Sequence, residues 1–258
     1  MIRTEKGQWE IITVRAGAVE EKSKHFIPND PGERTRAKKT EARKQALNDA
    51  VASRRMARLI HANFTAGDIL VGLDYSDTAL EVLKKRAELY QQRAGEETEL
   101  EPEDFLRLSA EHELRLCIDR VRRLLGKEEI ELKYIAVTSD MDGETGELVR
   151  IHHHLLIPRD CLEAFKTKWG KGRVVGKPLE QGLDYTQLAE YLCKQVRRVP
   201  DQKKYMPSRN LIKPTVSRRS AIGSAELRVP KGCTLLYRGA FEPGWTSQYI
   251  RYYRPMRS

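Results

Sequence analysis

An α+β sandwich, with a mainly antiparallel sheet and helices on one face, is the fold this sequence predicts. Three observations point to it. A short apolar run, Ile69 to Leu73, reads as a strand and is followed by two long stretches with a helical apolar stripe. Two strand-like segments then flank a turn-rich loop, as in a hairpin. A short helix, a short strand and a final helix follow, so the middle of the chain reads β-αα-β-β-α-β-α.

In chain order, Trp9 to Val14 is a candidate strand, and a loop around Pro28–Gly32 leads to a basic helix from about Thr35 to Ala62. After Ile69–Leu73, Ser76 or Asp77 caps a helix from Thr78 to about Arg93, with Leu80, Leu83, Ala87 and Tyr90 on one face. The next helix runs from Pro102 to Leu125 and stops at Gly126. The hairpin pairs Leu132–Thr138 with Leu148–Ile157 across Asp140–Gly146. Leu162–Trp169 is a short helix, Arg173–Leu179 a strand, and Asp184 to about Arg198 the last helix. The remainder holds short possible strands and a tyrosine-rich end, Tyr249–Tyr253, which reads as a final sheet strand.

The 258 residues are 40% apolar and 33% charged, within the range of globular proteins, and no run is long enough to cross a bilayer. Four scattered cysteines without a C-x-x-C pair argue for reduced thiols in a cytoplasmic protein, and against a disulfide framework or a cysteine zinc site. The net charge of +10 is unevenly placed. Nine Lys/Arg face two acids between Arg34 and Arg58, and nine face one acid between Lys194 and Arg219, whereas Glu96–Asp104 carries six acids and no base. Basic blocks of this kind are the footprint of a polyanion binder. The candidate phosphate contacts are Arg54, Arg55 and Arg58 on the N-terminal helix, with Arg198 and Arg209 in the second block.

Three consecutive histidines interrupt the second hairpin strand: Arg150-Ile151-His152-His153-His154-Leu155. Side chains alternate along a strand, so His152 and His154 share a face and His153 points the other way. Two imidazoles at i and i+2 are spaced to hold one divalent ion. On the last helix, Tyr185, Leu188, Ala189, Leu192 and Val196 form the apolar stripe, which marks Tyr185 as core. Tyr191 falls off that stripe, on a face with Lys194 and Arg198, where a phenol among cations can meet a phosphate. The run Gly170–Lys177 looks like a phosphate loop but continues into Pro178 instead of Ser/Thr, so ATP hydrolysis is not expected.

A His-x-His strand followed some forty residues later by Tyr-x-x-Lys resembles the HUH endonucleases, and in particular rolling-circle replication proteins related to the gene-II protein of filamentous phages. The resemblance extends from about Thr40 to Tyr253 and includes Ala62–Asp68, Ala189–Lys194 and Ser208–Leu211 with Lys213-Pro214. It implies a ferredoxin-like, HUH-type two-layer sandwich. His152 and His154 would hold Mg or Mn, Tyr191 would attack the scissile phosphodiester to leave a 5′-phosphotyrosine, and Lys194 would sit by the reacting phosphate or metal. The partners implied are single-stranded DNA at a replication origin, a host helicase and a polymerase, with no membrane.

Two positions depart from the family pattern. The acidic ligand expected at the end of the preceding strand is replaced by Ser139, with Asp140 as its candidate substitute, and the middle residue of His-x-His is His153 where an apolar residue is usual. Tyr185 remains the alternative nucleophile. A DNA-binding relative that does not cut, and a transposase or relaxase of the same class, are the alternative functions. The domain reading is 1–62 as a basic N-terminal extension and helix, 63–200 as the nicking domain, and 201–258 as a basic C-terminal extension packing on that domain.

Overall fold

A computed structural model describes residues 7–28, 41–95, 98–197, 202–221, 226–241 and 247–255. The chain is α+β, with two antiparallel five-stranded sheets in two compact units. One unit is drawn from Met1–Asn63, Gly182–Thr186 and Ile212–Ser258, and the other from Phe64–Gln181 and Gln187–Leu211.

The first unit contains β1 (Gly7–Ala16), β2 (Val19–Pro28) and α1 (Glu41–Asn63). The second contains β3 (Ile69–Asp74), α2 (Asp77–Ala94), α3 (Pro102–Leu125), β4 (Ile135–Met141), β5 (Leu148–Ile157), α4 (Leu162–Lys168) and β6 (Val174–Pro178), then α5 (Thr186–Lys194) and the two-residue β7 (Met206–Pro207). The chain returns to the first unit with β8 (Thr215–Ala221), β9 (Thr234–Phe241) and β10 (Ser247–Tyr253).

The three consecutive stretches read from the sequence are arranged differently here. The N- and C-terminal segments share one sheet, in the order β8-β1-β2-β10-β9, so the C-terminal stretch belongs with the N-terminal one. Asn63 ties the two crossing points of the chain: its side chain donates to Ile212 O at 2.9 Å and accepts the Ile212 N–H at 2.7 Å. The C-terminal tyrosines do form a sheet strand, with Tyr249 and Tyr252 buried.

Strand β2 was not anticipated, because Glu20, Glu21 and Lys24 make it read as polar surface. All three are buried. Glu20 is satisfied by the Tyr252 hydroxyl and by Arg15 at 2.7 Å, and Glu21 by a paired approach from Arg58, its closest contact 2.6 Å. Gly17 makes the tight β1–β2 turn at φ +57°, and a Cβ there would lie 2.2 Å from His61 O.

Helix α1 is described from Glu41 to Asn63, and its expected start at about Thr35 lies outside the described residues. Its cations divide by role. Arg58 holds Glu21, Arg54 lies over the Tyr249 ring at 5.6 Å, and Arg55 is exposed. Arg58 is thus a structural ion-pair partner. Replacing it would strand a buried carboxylate, and we expect Arg58→Ala to cost about 2–4 kcal/mol in a urea-unfolding measurement. A loss of under about 0.5 kcal/mol, the range of ordinary surface substitutions, would contradict that role.

In the second unit the sheet order is β6-β3-β5-β4-β7, every neighbour antiparallel. Ile69, Val71 and Leu73 of β3, with Ile151, Leu155 and Ile157 of β5, pack against Leu83 of α2, the buried stripe of α3 and Phe165 of α4. Burial of that apolar surface fixes the register, since a one-residue slip would turn the set outward. His152 and His154 therefore face away from this core, toward α5. That helix is shorter than the expected Asp184–Arg198, and Tyr185 precedes it, in the first unit, with its ring 6.0 Å from His61. No described helix is long and apolar enough to cross a membrane, and no disulfide joins any of the four cysteines among the described residues.

Candidate metal and tyrosine site

Cross-strand pairing builds the floor of the site. His152 stands opposite Asp74 of β3 and Ser139 of β4, and His154 opposite Gly72 and Val137. Directly paired residues share a face, so these side chains surround the two imidazoles.

The middle histidine faces the core. His153 is fully buried, with Nε2 2.7 Å from the Tyr75 hydroxyl, Nδ1 3.1 Å from Thr138 Oγ1, and Trp169 edge-on. Burial, and then the adjacent His152 and His154, push it down to about 3. Between the ordinary value of 6.5 and 3 the unfolded chain binds the extra proton, so this group's stability contribution is complete above pH 6.5 and is lost as pH falls through that window. We expect about 2 kcal/mol less stability at pH 5 than at pH 7 from His153 alone. Urea unfolding at the two pH values should show it, and His153→Gln should remove that part of the difference.

The outward pair has the opposite character. His152 Nδ1 lies 2.9 Å from Arg150 O. A carbonyl only accepts, so Nδ1 carries a proton, and Nε2 is the nitrogen left to face His154. It is 3.1 Å from His154 Nε2, which is itself 3.0 Å from Gln195 Oε1. Burial, then the neighbouring His152, push His154 down to about 4, so its imidazole is neutral at physiological pH. Two imidazole nitrogens and an amide oxygen thus follow one another at hydrogen-bond distance, and for His154 Nε2 to hold an ion the ring's proton must sit on Nδ1.

These separations fit a divalent ion. Donors about 2.1 Å from a cation and at right angles to each other stand about 3 Å apart. Neutral imidazole suits ions such as Mn²⁺, Zn²⁺, Ni²⁺ or Cu²⁺, and the carbonyl-type oxygen adds a harder donor of the kind Mn²⁺ also accepts. The hydroxyl of Ser139, fully buried on this face opposite His152, has no hydrogen-bond partner among the described residues.

Asp140 is placed elsewhere. A bulge between Ser139 and Met141 turns the backbone N–H groups of Asp140 and Met141 onto Gln195 O, at 3.1 and 3.2 Å. The Asp140 carboxylate accepts the Arg197 N–H at 2.9 Å. Arg197 also reaches Asp104 at 2.5 Å, and its carbonyl accepts from buried Arg107 at 2.6 Å. Among the described residues no three imidazole, thiol or carboxylate groups gather as a metal set. The third donor at the histidine pair is Gln195, which the sequence reading passed over. Asp140 instead pins the turn that carries it.

Tyr191 is exposed on α5, its ring 6.5 Å from that of His154. Lys194, one turn on, is exposed too and passes close to Gly143 in the β4–β5 loop, where a Cβ would lie 3.2 Å from Lys194 Cβ. Arg209 is exposed beside a separate groove with Arg122 and Tyr134, and Arg198 lies outside the described residues. The glycine-rich run is structural: a Cβ at Gly172 would lie 2.3 Å from Asp74 O, and Lys171 O accepts the Ser76 N–H at 2.7 Å.

Comparison with protein families, with characterised proteins and with solved structures found no match to this chain.

Proposed function

We propose that this chain is a metal-dependent nickase of single-stranded DNA of the HUH class, acting as a rolling-circle replication initiator through Tyr191. The observation that carries the reading is the tyrosine beside a three-donor set, His152, His154 and Gln195, with both held on one sheet face by α5. A divalent ion bound there would draw charge from the scissile phosphate.

The chain's own groups account for the remaining steps. Tyr191 gives up its phenolic proton and its oxygen attacks phosphorus. The new O–P bond forms as the bond to the 3′ oxygen breaks, and that oxygen leaves as a 3′-hydroxyl after taking a proton. Lys194, at i+3 on the helix, lies on the same side as Tyr191, where its ammonium can meet the phosphate. The exposed phenol lets a long polymer enter, as a buried one would not. A transposase or relaxase would use the same groups on a different DNA.

The test is a denaturing gel of purified protein with labelled single-stranded DNA from its own replicon, with Mn²⁺ or EDTA. A Mn²⁺-dependent covalent adduct is expected. Tight, salt-sensitive binding with no adduct on any candidate origin would favour the non-cutting binder.

A further inference from the structure

Beside His152, the second unit has an open cleft of about 660 Å³, within the usual size range of small-ligand pockets. It is lined by Asp74, Ser76, Asp77, Arg150, His152 and Arg173, among others. We propose that it seats an unpaired nucleobase next to the scissile phosphate, and that it prefers a base carrying amino and imino donors, guanine above all, over thymine. This inference rests on the nickase reading.

The charge balance indicates a base over a phosphate. Arg150 is held by Asp77 at 2.7 Å and by Tyr75 O at 2.7 Å, and Arg173 by Asp74 at 2.9 Å. Two cations facing two anions give no net pull on a phosphate, but they offer donors and acceptors side by side. Asp74 accepts Arg173 through Oδ2, and Asp77 accepts Arg150 through Oδ1, which leaves Oδ1 of Asp74 and Oδ2 of Asp77 as acceptors. Guanine brings two adjacent N–H donors to such oxygens and a carbonyl to a guanidinium. Thymine would turn two carbonyls toward the carboxylates.

Arg173 is largely exposed, and its planar guanidinium can stack on a base. The wall is fixed, because the Gly170–Arg173 loop bonds backbone to backbone with Asp74 and Ser76 and leaves no room for a Cβ at Gly172. Asp74 pairs directly with His152 across the strands, so a base in the cleft is a near neighbour of the phosphate at the histidine pair.

The experiment measures binding of fluorescent oligothymidylate, with and without a single dG, to the full chain carrying Tyr191→Phe, so that cleavage does not intervene. The dG oligonucleotide should bind about ten-fold tighter. Asp74→Asn and, separately, Asp77→Asn should reduce that preference, read as the ratio of the two affinities within each variant, to under about three-fold. Absence of a preference in the parent, or an unchanged preference in both variants, would overturn the proposal. Adduct formation by the unsubstituted chain is scored separately: adducts without base preference would leave the nickase standing and remove the subsite. Base preference without adducts would do the reverse.

Discussion

Tyr191→Phe is expected to abolish covalent capture of single-stranded DNA, lowering adduct formation by about 10⁴-fold or more, since it removes the nucleophile itself. Non-covalent affinity should change by less than about two-fold, because the ring stays and only an exposed hydroxyl is lost. The measurement pairs a denaturing gel for the adduct with fluorescence anisotropy for binding. Tyr185→Phe is the companion variant. Tyr185 packs with His61 and precedes α5, so its loss should leave the adduct intact. An adduct that survives Tyr191→Phe and disappears in Tyr185→Phe would reverse the assignment.

That difference between the two tyrosines was only half visible in the sequence. Helical spacing set Tyr191 off the apolar stripe, and the structure leaves it exposed. The same spacing put Tyr185 on the stripe of α5, yet the helix starts after it, where Asp184 accepts the Thr186 N–H at 3.0 Å. A cap of this kind stops a periodic pattern without altering it. The histidine strand was the most legible part, since strand parity alone separates His152 and His154 from His153.

What the sequence hid was non-local. Strand β1 pairs with β8 and β2 with β10, each across about two hundred residues, and no local pattern signals such partners. The buried carboxylates of β2 are satisfied by Arg58 of α1 and by Tyr252 of β10, partners that the strand read alone does not reveal. On the basic helix, charge alone did not separate Arg58, which serves an internal carboxylate, from the exposed Arg55.

The third donor of the candidate metal set is the other large test. Gln195→Ala should weaken Mn²⁺ binding by about 10- to 100-fold or more, measured by calorimetry or by the paramagnetic resonance of free Mn²⁺ on protein without DNA. Gln195→Glu, which puts a carboxylate where the amide oxygen stands, should bind Mn²⁺ at least as tightly as the parent. Asp140 supplies the contrast. Its Oδ1 accepts the Arg197 N–H and its backbone N–H donates to Gln195 O, so Asp140→Asn, which keeps an acceptor, should bind Mn²⁺ nearly normally. Asp140→Ala should lose part of the affinity together with thermal stability, because the turn is released. If Asp140 were itself the ligand, Asp140→Asn would fall as far as Asp140→Ala, and Gln195→Ala would leave Mn²⁺ affinity unchanged. The bulge after Ser139 is what separates these outcomes. It directs Asp140 Oδ1 to the Arg197 N–H, and the group within hydrogen-bond distance of His154 is the neutral amide of Gln195, just past the helix end. Two imidazoles and one amide carry no charge of their own, and Asp74, opposite His152, is a carboxylate facing the pair; a DNA phosphate adds negative charge, and Mn²⁺ should therefore bind more tightly in its presence.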